Sequence, residues 1–177
     1  MSMRDVELRL LSELVKNSRR SDRELARALG VSQPTVTRIR NRLEKEGFVR
    51  EYTMMPDFTK LGYEILALTF FKYARMLSPE EMAKITEYGW ESLKENPFDT
   101  IMIALGNGLG YSGVTMSFHK SYTSYEKFRE RLSRYAKFGL SEIGVFMMSL
   151  SDEAQILPLT LSILARHLAT TKEEDRV

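Results

Sequence analysis

The chain has 177 residues, of which 43% are hydrophobic and 28% charged, and its formal net charge is +2. This length allows one large domain or two small ones with ordinary hydrophobic cores. The absence of cysteine excludes disulfides and thiolate metal sites. No stretch reaches the roughly 18 apolar residues that a membrane span requires, and the N-terminus lacks the apolar core of a signal peptide. We therefore expect a cytoplasmic protein with no membrane partner.

The basic residues are unevenly distributed along the chain. Residues 1–55 hold 12 lysines and arginines against 8 acidic residues, whereas the remainder holds 14 against 16. Positive charge concentrated in one segment is typical of a nucleic-acid-binding domain. The N-terminal third is therefore the part of the chain where a DNA-binding motif is expected.

Two helices are predicted before residue 30. Residues 3–16 place four apolar side chains on one helical face, namely Val6, Leu10, Leu11 and Leu14. Ser21 and Glu24 have the spacing of a capping box, which predicts that a short second helix begins there. Gly30 has the position of a left-handed residue at its end. This order indicates a helix-turn-helix, with a bare three-helix bundle as the alternative.

The helix that follows has the properties of a DNA-recognition helix. Ser32 is a suitable N-cap, and Pro34 falls in the first turn, where its missing N–H does no harm. Apolar residues recur at helical spacing on one face, namely Val36, Ile39 and Leu43. Gly47 is expected to end the helix, and residues 48–53 are predicted to form a strand that begins a wing. The polar face suits the DNA major groove.

Two groups of side chains are predicted to contact double-stranded DNA. Guanidinium groups suit guanine, amides suit adenine, and the Thr37 methyl group and Pro34 suit thymine. The predicted base contacts are Gln33, Pro34, Thr37, Arg38 and Asn41. The predicted phosphate contacts, which position a protein without reading sequence, are Ser21, Arg23, Arg42, Lys45 and Arg50. Arg40 lies nearer the packed side, where an ion pair or a flanking phosphate is expected. A solvated surface charge is the alternative, above all for Arg23 and Lys45.

The sequence from Ser21 to Val49 resembles the winged helix of the Lrp/AsnC family, the leucine-responsive or feast/famine transcription regulators. Residues 55–63 (MPDFTKLGY) are similar to the hinge that leads into the second domain of that family. The resemblance implies a winged helix-turn-helix domain at residues 1–55, a hinge at 56–62, and a transcription regulator. We expect no enzymatic activity and no cofactor.

Residues 63–151 show strand and helix signals in the order βαββαβ. The predicted strands are 65–73, 100–105, 114–119 and 143–150. The predicted helix starts are Ser78-Pro79-Glu80-Glu81 and Thr123-Ser124-Tyr125-Glu126, and the predicted stops are Asn96-Pro97 and Gly139. This order is a ferredoxin-like split βαβ unit, and the resemblance independently implies the same effector and oligomerisation (RAM-type) domain. The predicted fold class is therefore α+β.

The C-terminal segment, residues 152–177, is expected to contain a short extended piece, a helix and a solvated tail. Residues 156–161 alternate as an edge strand does, although Pro158 limits that interpretation. Residues 161–168 are more typical of a helix. An apolar terminal helix of this kind often packs against a partner chain, so it could add to a dimer interface.

Self-association is expected, because one recognition helix buries little surface and binds weakly alone. In the resembled family, sheets of the second domains pack together. The apolar residues that could form either sheet face are Leu66, Leu68, Phe70, Ile101, Ile103, Met116, Phe118 and Phe146.

A glycine-rich stretch, residues 106–113, is predicted to be a hairpin loop. It lacks the Lys-Ser/Thr of a phosphate loop, and a strand rather than a helix follows it. In the resembled family this hairpin carries a Gly-x-x-Asp turn that helps form an amino-acid effector site between subunits. Here glycine replaces the aspartate, which puts an amino-acid effector in doubt. The predicted effector or oligomer loop comprises Gly108, Gly110, Tyr111, Ser112 and Gly113.

Two alternatives to a DNA-binding regulator remain open. Siroheme decarboxylases resemble Lrp/AsnC proteins in both domains, but such an enzyme needs histidine and arginine around a tetrapyrrole. This chain has only His119 and His167, without metal-ligand spacing, so neither a catalytic residue nor a metal site is predicted. The second alternative is an assembly protein whose winged helix binds another protein.

Overall fold

In the computed structural model of the chain, residues 5–95, 100–151, 153, 155–157 and 159–174 are described. The chain divides into two compact units. The N-terminal unit comprises Met1–Pro56 together with Leu159–Val177, and the central unit comprises Asp57–Pro158.

Four helices build the N-terminal unit: α1 (Asp5–Lys16), α2 (Asp22–Leu29), α3 (Gln33–Lys45) and the terminal α6 (Ser162–Glu174). The predicted capping box of Ser21 and Glu24 is present, and Gly30 is left-handed at φ +70°. Ser32 accepts a hydrogen bond from the Thr35 amide at the start of α3. The core is formed by apolar residues at the predicted helical spacing, including Leu10, Leu14, Leu25, Leu29, Val36, Ile39 and Leu43.

The terminal helix α6 packs on α1 of the same chain. The Ser12 hydroxyl donates a hydrogen bond of 2.7 Å to the Ala165 carbonyl oxygen, and both residues are buried. Small side chains at the crossing let the two helices approach closely. The helix is longer than the predicted 161–168, and residues 155–157 and 159–161 form neither strand nor helix.

The prediction of a wing strand at residues 48–53 is wrong. No strand is assigned there, and the first described strand begins at Ile65. The chain turns at Gly47, with φ +76°, and the amides of Phe48 and Val49 donate to the Leu43 carbonyl. Val49 then packs against the helical core. A strand needs a partner to satisfy its backbone groups, and this segment is held by the end of α3 instead.

The central unit has the predicted βαββαβ order. Its elements are β1 (Ile65–Tyr73), α4 (Pro79–Glu95), β2 (Thr100–Gly108), β3 (Tyr111–His119), α5 (Tyr122–Leu132), a 3₁₀ helix (Ser133–Phe138) and β4 (Leu140–Ser149). The strands form one sheet in the order β2-β3-β1-β4, and every paired neighbour is antiparallel. This arrangement is the ferredoxin-like fold expected from the sequence.

The two faces of the sheet differ in what covers them. On one face Ala67 of β1 packs with Tyr125 and Phe128 of α5. The alternate residues of β1 point to the other face, where Leu66 packs with Phe118 and Leu150. Further along that face lie five apolar residues, which we call the open sheet face: Leu68, Phe70, Met102, Met116 and Phe146. Met102 is 42% exposed and Phe146 58% exposed.

The glycine-rich hairpin is tighter than predicted. Strand β2 continues to Gly108 and β3 begins at Tyr111, so Leu109 and Gly110 form a two-residue turn. Their φ values are +53° and +79°, as in the turns whose twist matches that of the flanking strands. Of the predicted effector loop, only Gly110 therefore lies in a loop. The other members, Gly108, Tyr111, Ser112 and Gly113, belong to strands, which corrects the prediction.

The helix starts of the central unit agree with the sequence in one case only. Ser78 and Glu81 form the predicted capping box. Helix α5 is capped by Ser121 with Ser124, so the prediction that residues 123–126 cap it is wrong: the N-cap lies two residues earlier, at Ser121 and not at Thr123. Gly139 is left-handed, but it follows the 3₁₀ helix, whereas the helix that it was predicted to end, α5, already ends at Leu132. The predicted stop at Asn96-Pro97 lies outside the described residues.

Candidate nucleic-acid interface

Helix α3 has one packed face and one exposed face. Val36 and Leu43 are fully buried and Ile39 is nearly so, because their spacing aligns them on the side that meets α1 and α2. All five predicted base-contact residues are exposed. They line one shallow depression on the unit, which we call the α3 surface: Gln33, Pro34, Thr37, Arg38 and Asn41.

The α3 surface combines the chemical groups that read base edges. It offers one guanidinium, two amides, a hydroxyl with its methyl group, and a proline ring. Guanidinium and amide groups form paired hydrogen bonds with guanine and adenine, and methyl groups contact thymine. A proline in the first turn also removes one of the backbone N–H donors that would otherwise lack a partner inside the helix.

One member of the surface is tied to the neighbouring helix. The Thr37 hydroxyl lies 2.5 Å from Oδ2 of Asp22 and 3.2 Å from the carbonyl oxygen of Gln33. The other carboxylate oxygen of Asp22 pairs with Arg40 at 2.9 Å. Arg40 also donates to the Arg20 carbonyl at 3.2 Å, so its expected ion pair is present and it faces the packed flank.

A tyrosine that follows α3 extends this network. Tyr52 donates a hydrogen bond of 2.6 Å to a Glu44 carboxylate oxygen, and the Arg40 guanidinium lies 6.0 Å from the Tyr52 ring centroid. Burial, together with the hydrogen bond to Glu44, raises the pKa of Tyr52 to about 12. The phenol therefore remains a donor at neutral pH and holds the segment after Gly47 against α3.

The predicted phosphate contacts do not share one environment. Arg23, Lys45 and Arg50 are exposed. Ser21 is exposed as well, although its hydroxyl serves the capping box of α2. The hydrogen bond from the Ser21 hydroxyl to Glu24, with that from the Ser21 amide second, lowers the pKa of that carboxyl group.

Arg42 is placed differently from the other four. It is half-buried and forms an ion pair with Glu7 of α1, whose side chain is 3% exposed, and a longer one with Glu46 at 3.7 Å. A phosphate contact would compete with a carboxylate that is already buried. The ion pair with Glu7 joins α3 to α1, and the predicted phosphate contact of Arg42 would have to compete with it.

Sequence reasoning missed Asp22, Glu7 and Tyr52. Asp22 follows the N-cap of α2, where an acidic residue is favourable for the helix dipole alone. Glu7 falls among apolar positions of α1, which is the only signal in the sequence that it is buried. The pairing of each residue depends on how the helices cross, which one-dimensional periodicity does not contain.

The sheet carries a second group of polar residues. The Tyr111 ring lies 5.6 Å from the Phe70 ring, and its hydroxyl donates to a Glu142 carboxylate oxygen at 3.2 Å. Lys72 lies 3.8 Å from the other oxygen of that carboxylate. The hydrogen bond to Glu142 raises the pKa of Tyr111. These three side chains come from β3, β4 and β1 at one end of the sheet.

The described residues hold neither a candidate metal cluster nor a membrane-spanning helix. Within these ranges no group of three or more histidine, aspartate or glutamate side chains could hold a metal ion. None of the helices that the structure describes is long and apolar enough to cross a membrane.

The sequence matches a known DNA-binding family and several curated proteins. Residues 3–50 match the winged helix-turn-helix DNA-binding family. An HTH-type transcriptional regulator of Pyrococcus furiosus is 35% identical over 49% of this chain and 64% of its own length. LrpC, an HTH-type transcriptional regulator of Bacillus subtilis, is 38% identical over 37% of this chain and 45% of its own length. These two alignments cover less than two thirds of each relative.

A longer alignment extends into the central unit. A second HTH-type transcriptional regulator of Pyrococcus furiosus is 30% identical over 70% of this chain and 77% of its own length. This similarity reaches beyond the helix-turn-helix and covers most of the relative.

Solved structures share the whole fold. An AsnC family transcriptional regulator from Agrobacterium tumefaciens has a TM-score of 0.72 at 19% identity and covers 89% of this chain and 94% of its own. A transcriptional regulator from Neisseria meningitidis, solved as an L-Met complex, has a TM-score of 0.70 at 15% identity, with 92% and 99% covered. At these identities the likeness is one of fold.

Proposed function

We propose a function from one premise: the chain belongs to the Lrp/AsnC family of HTH-type transcription regulators. It binds double-stranded DNA in a sequence-specific manner as a dimer or a higher oligomer. The observation that carries this proposal is the α3 surface, where five side chains able to read base edges are exposed together on one helix. The protein acts on the chromosome, in the cytoplasm, and not as an enzyme.

The roles of the individual residues follow from their environment. Gln33, Pro34, Thr37, Arg38 and Asn41 contact bases. Arg23, Lys45 and Arg50, which are exposed around α2 and α3, contact phosphates, and Ser21 does so from the start of α2. Phosphate contacts fix the position of the helix on the duplex, and base contacts select the sequence.

Dimerisation supplies what one helix lacks. A single module binds weakly, whereas two modules in a dimer read half-sites about one helical turn apart, or a multiple of it. The open sheet face supports self-association, because Phe146 is 58% exposed and lies among other apolar side chains. Apolar surface of this kind is favourable to bury against a second copy.

Selection of binding sites from random DNA tests the proposal. We expect one enriched sequence that contains two related half-sites, with an affinity that falls steeply as salt rises because bound counterions are displaced. A pool without any enriched sequence would contradict sequence-specific binding and favour the assembly-protein alternative. Haem-like absorbance that copurifies with the protein would instead favour the siroheme-decarboxylase alternative.

We also propose a small-molecule effector, a role supported by the L-Met complex of the Neisseria meningitidis regulator. Gly113 stands where the family's effector turn has aspartate, but Glu142 offers a carboxylate beside Tyr111 and Lys72. A ligand ammonium group could pair with Glu142. Thermal melting with each of the amino acids in turn tests this: a stabilising amino acid whose effect is lost in Glu142→Gln supports the proposal, and no shift with any of them contradicts an amino-acid effector.

A further inference from the structure

We propose that Asp22 makes Thr37 a reader of the thymine methyl group. Asp22 lies on α2 and does not line the α3 surface, so it acts as a positioning residue and not as a DNA contact. The inference rests on the proposed function, since it concerns how the α3 surface distinguishes one base from another.

The Thr37 hydroxyl donates its single proton to an acceptor within the protein. It lies 2.5 Å from Oδ2 of Asp22 and 3.2 Å from the Gln33 carbonyl oxygen. Both partners accept hydrogen bonds and neither donates one. A hydrogen bond to a carboxylate is about twice as strong as one between neutral groups. The hydroxyl is therefore not available to donate to acceptor atoms on a base edge.

Asp22 is itself held in place by a cation. Arg40 pairs with Oδ1 of Asp22 at 2.9 Å, and both side chains are about one-fifth exposed. Arg40 is in turn fixed by the Arg20 carbonyl at 3.2 Å. This pairing has two effects: it orients the carboxylate toward Thr37, and it offsets a negative charge that would otherwise repel the DNA phosphates.

The hydrogen bonds of this hydroxyl also restrict rotation of the Thr37 side chain about χ1. A threonine in a helix divides between two χ1 rotamers, one of which lets its oxygen bond the carbonyl one turn earlier. Two acceptors on the same side select that rotamer. Thr37 still lines the exposed depression, so the group that it presents to a base is its methyl. In the major groove a methyl group has one distinctive partner, the C5-methyl of thymine.

The test uses the operator obtained by selection and replaces each thymine of one half-site by uracil. Uracil keeps every hydrogen-bonding atom of thymine and lacks only the methyl group. At one position the wild-type protein should bind about fourfold more weakly, the factor that corresponds to one buried methyl group or about 0.8 kcal/mol. The affinity is measured by fluorescence anisotropy at fixed salt.

Matched variants then assign that sensitivity to Thr37. In Thr37→Ser, which keeps the hydroxyl and removes the methyl, the thymine and uracil operators should bind equally. In Thr37→Val, which keeps a methyl and removes the hydroxyl, the difference of about fourfold should persist. In Asp22→Ala the released hydroxyl can rotate and donate to bases, so the difference should shrink. Thermal melting of each variant establishes that it is folded.

The outcomes separate this inference from the proposed function. If no operator is selected at all, the proposed function fails. If the wild type binds an operator without sensitivity to uracil, only the inference fails. If sensitivity persists in Thr37→Ser, another residue such as Pro34 reads the methyl group, and the inference is overturned. If Asp22→Ala behaves as the wild type does, the positioning role of Asp22 is overturned.

Discussion

Arg42 and Glu7 form the ion pair that joins α3 to α1, and its energetics can be tested at the level of one residue. Glu7 is 2% exposed, so Arg42→Ala removes a charge partner from a buried carboxylate. Breaking a buried pair in this way is strongly destabilising. We expect the free energy of unfolding to fall by about 3 kcal/mol, the lower end of the range for a buried pair, because Arg42 is partly exposed.

Urea unfolding followed by circular dichroism measures that loss. The matched control is Arg38→Ala, which removes the same charge from an exposed position on the same helix and should change stability by less than about 0.5 kcal/mol. Equal effects of the two substitutions would show that Arg42 is a surface cation after all.

Gly113 shows how a glycine in a strand can be required by its neighbours. A Cβ atom built there would lie 2.4 Å from the Phe71 ring and 2.6 Å from the Ala104 carbonyl oxygen. Gly113→Ala should therefore destabilise the protein by about 2 kcal/mol, because the sheet backbone must shift to admit the methyl group.

Gly106, in the neighbouring strand, provides the comparison. A Cβ at Gly106 would meet no atom within 4 Å, so Gly106→Ala should change the melting temperature very little. Comparable losses in both variants would mean that crowding at Gly113 does not limit the sheet.

At the scale of an element, the start of α4 is stabilised by a carboxylate. Glu81 accepts hydrogen bonds from Arg75 and from the Ser78 amide. The hydrogen bonds from Arg75, with that of Ser78 second, lower the pKa of Glu81 from 4.5 to about 2. Because the folded state binds this proton less tightly, the stabilisation is complete above pH 4.5 and is lost as the pH falls toward 2.

Glu81→Gln tests that pH dependence. The variant should melt at a lower temperature than the wild type at pH 7, and the two melting temperatures should converge between pH 4.5 and pH 2. A difference that stays constant across this range would mean that the charge of Glu81 does not stabilise α4.

Helix caps made by a serine and a glutamate three residues apart are the most predictable features. The capping boxes at Ser21 and Ser78 were read directly from residue spacing, and both are present. Strand β1 has the predicted bounds, Ile65–Tyr73, because turn-forming residues flank its apolar run on both sides.

The wing and the hairpin were less predictable for a physical reason. Glycine is typical both of loops and of strands over which a ring packs, so the glycines at 106, 108 and 113 did not distinguish the two. Likewise, residues 48–53 after Gly47 have a high β propensity, but propensity does not show whether a partner strand lies beside them. The exposed face of α3 followed from periodicity, but the pairing of Asp22 with Thr37 depends on the crossing of two helices.

At the scale of the whole molecule, the chain crosses between its two units twice. It leaves the N-terminal unit after Pro56 and returns to it at Leu159. The return brings α6 onto α1, with Ala165 fully buried. The apolar sequence of the terminal helix predicts that one of its faces is buried against another element. Only the three-dimensional structure shows that this element is α1 of the same chain.

The open sheet face gives a prediction about assembly. Phe146→Glu places a charge among its apolar side chains, and we expect it to convert the proposed dimer or oligomer to monomers, because burying an unpaired carboxylate is costly. Val145→Glu is the matched control, since Val145 lies opposite Thr69 on the other face of the sheet. Analytical ultracentrifugation measures both, and a Phe146→Glu protein that stays assembled would contradict this interface.

The most direct test of the central claim, that α3 reads DNA sequence, is the affinity of Arg38→Ala for the selected operator. Loss of a base contact by arginine is expected to cost about 1–3 kcal/mol, or roughly 5- to 150-fold in affinity. Arg9→Ala removes the same charge from an exposed position of α1 and should weaken binding less than about twofold. If the two variants bind the operator equally well, α3 is not the element that reads DNA sequence.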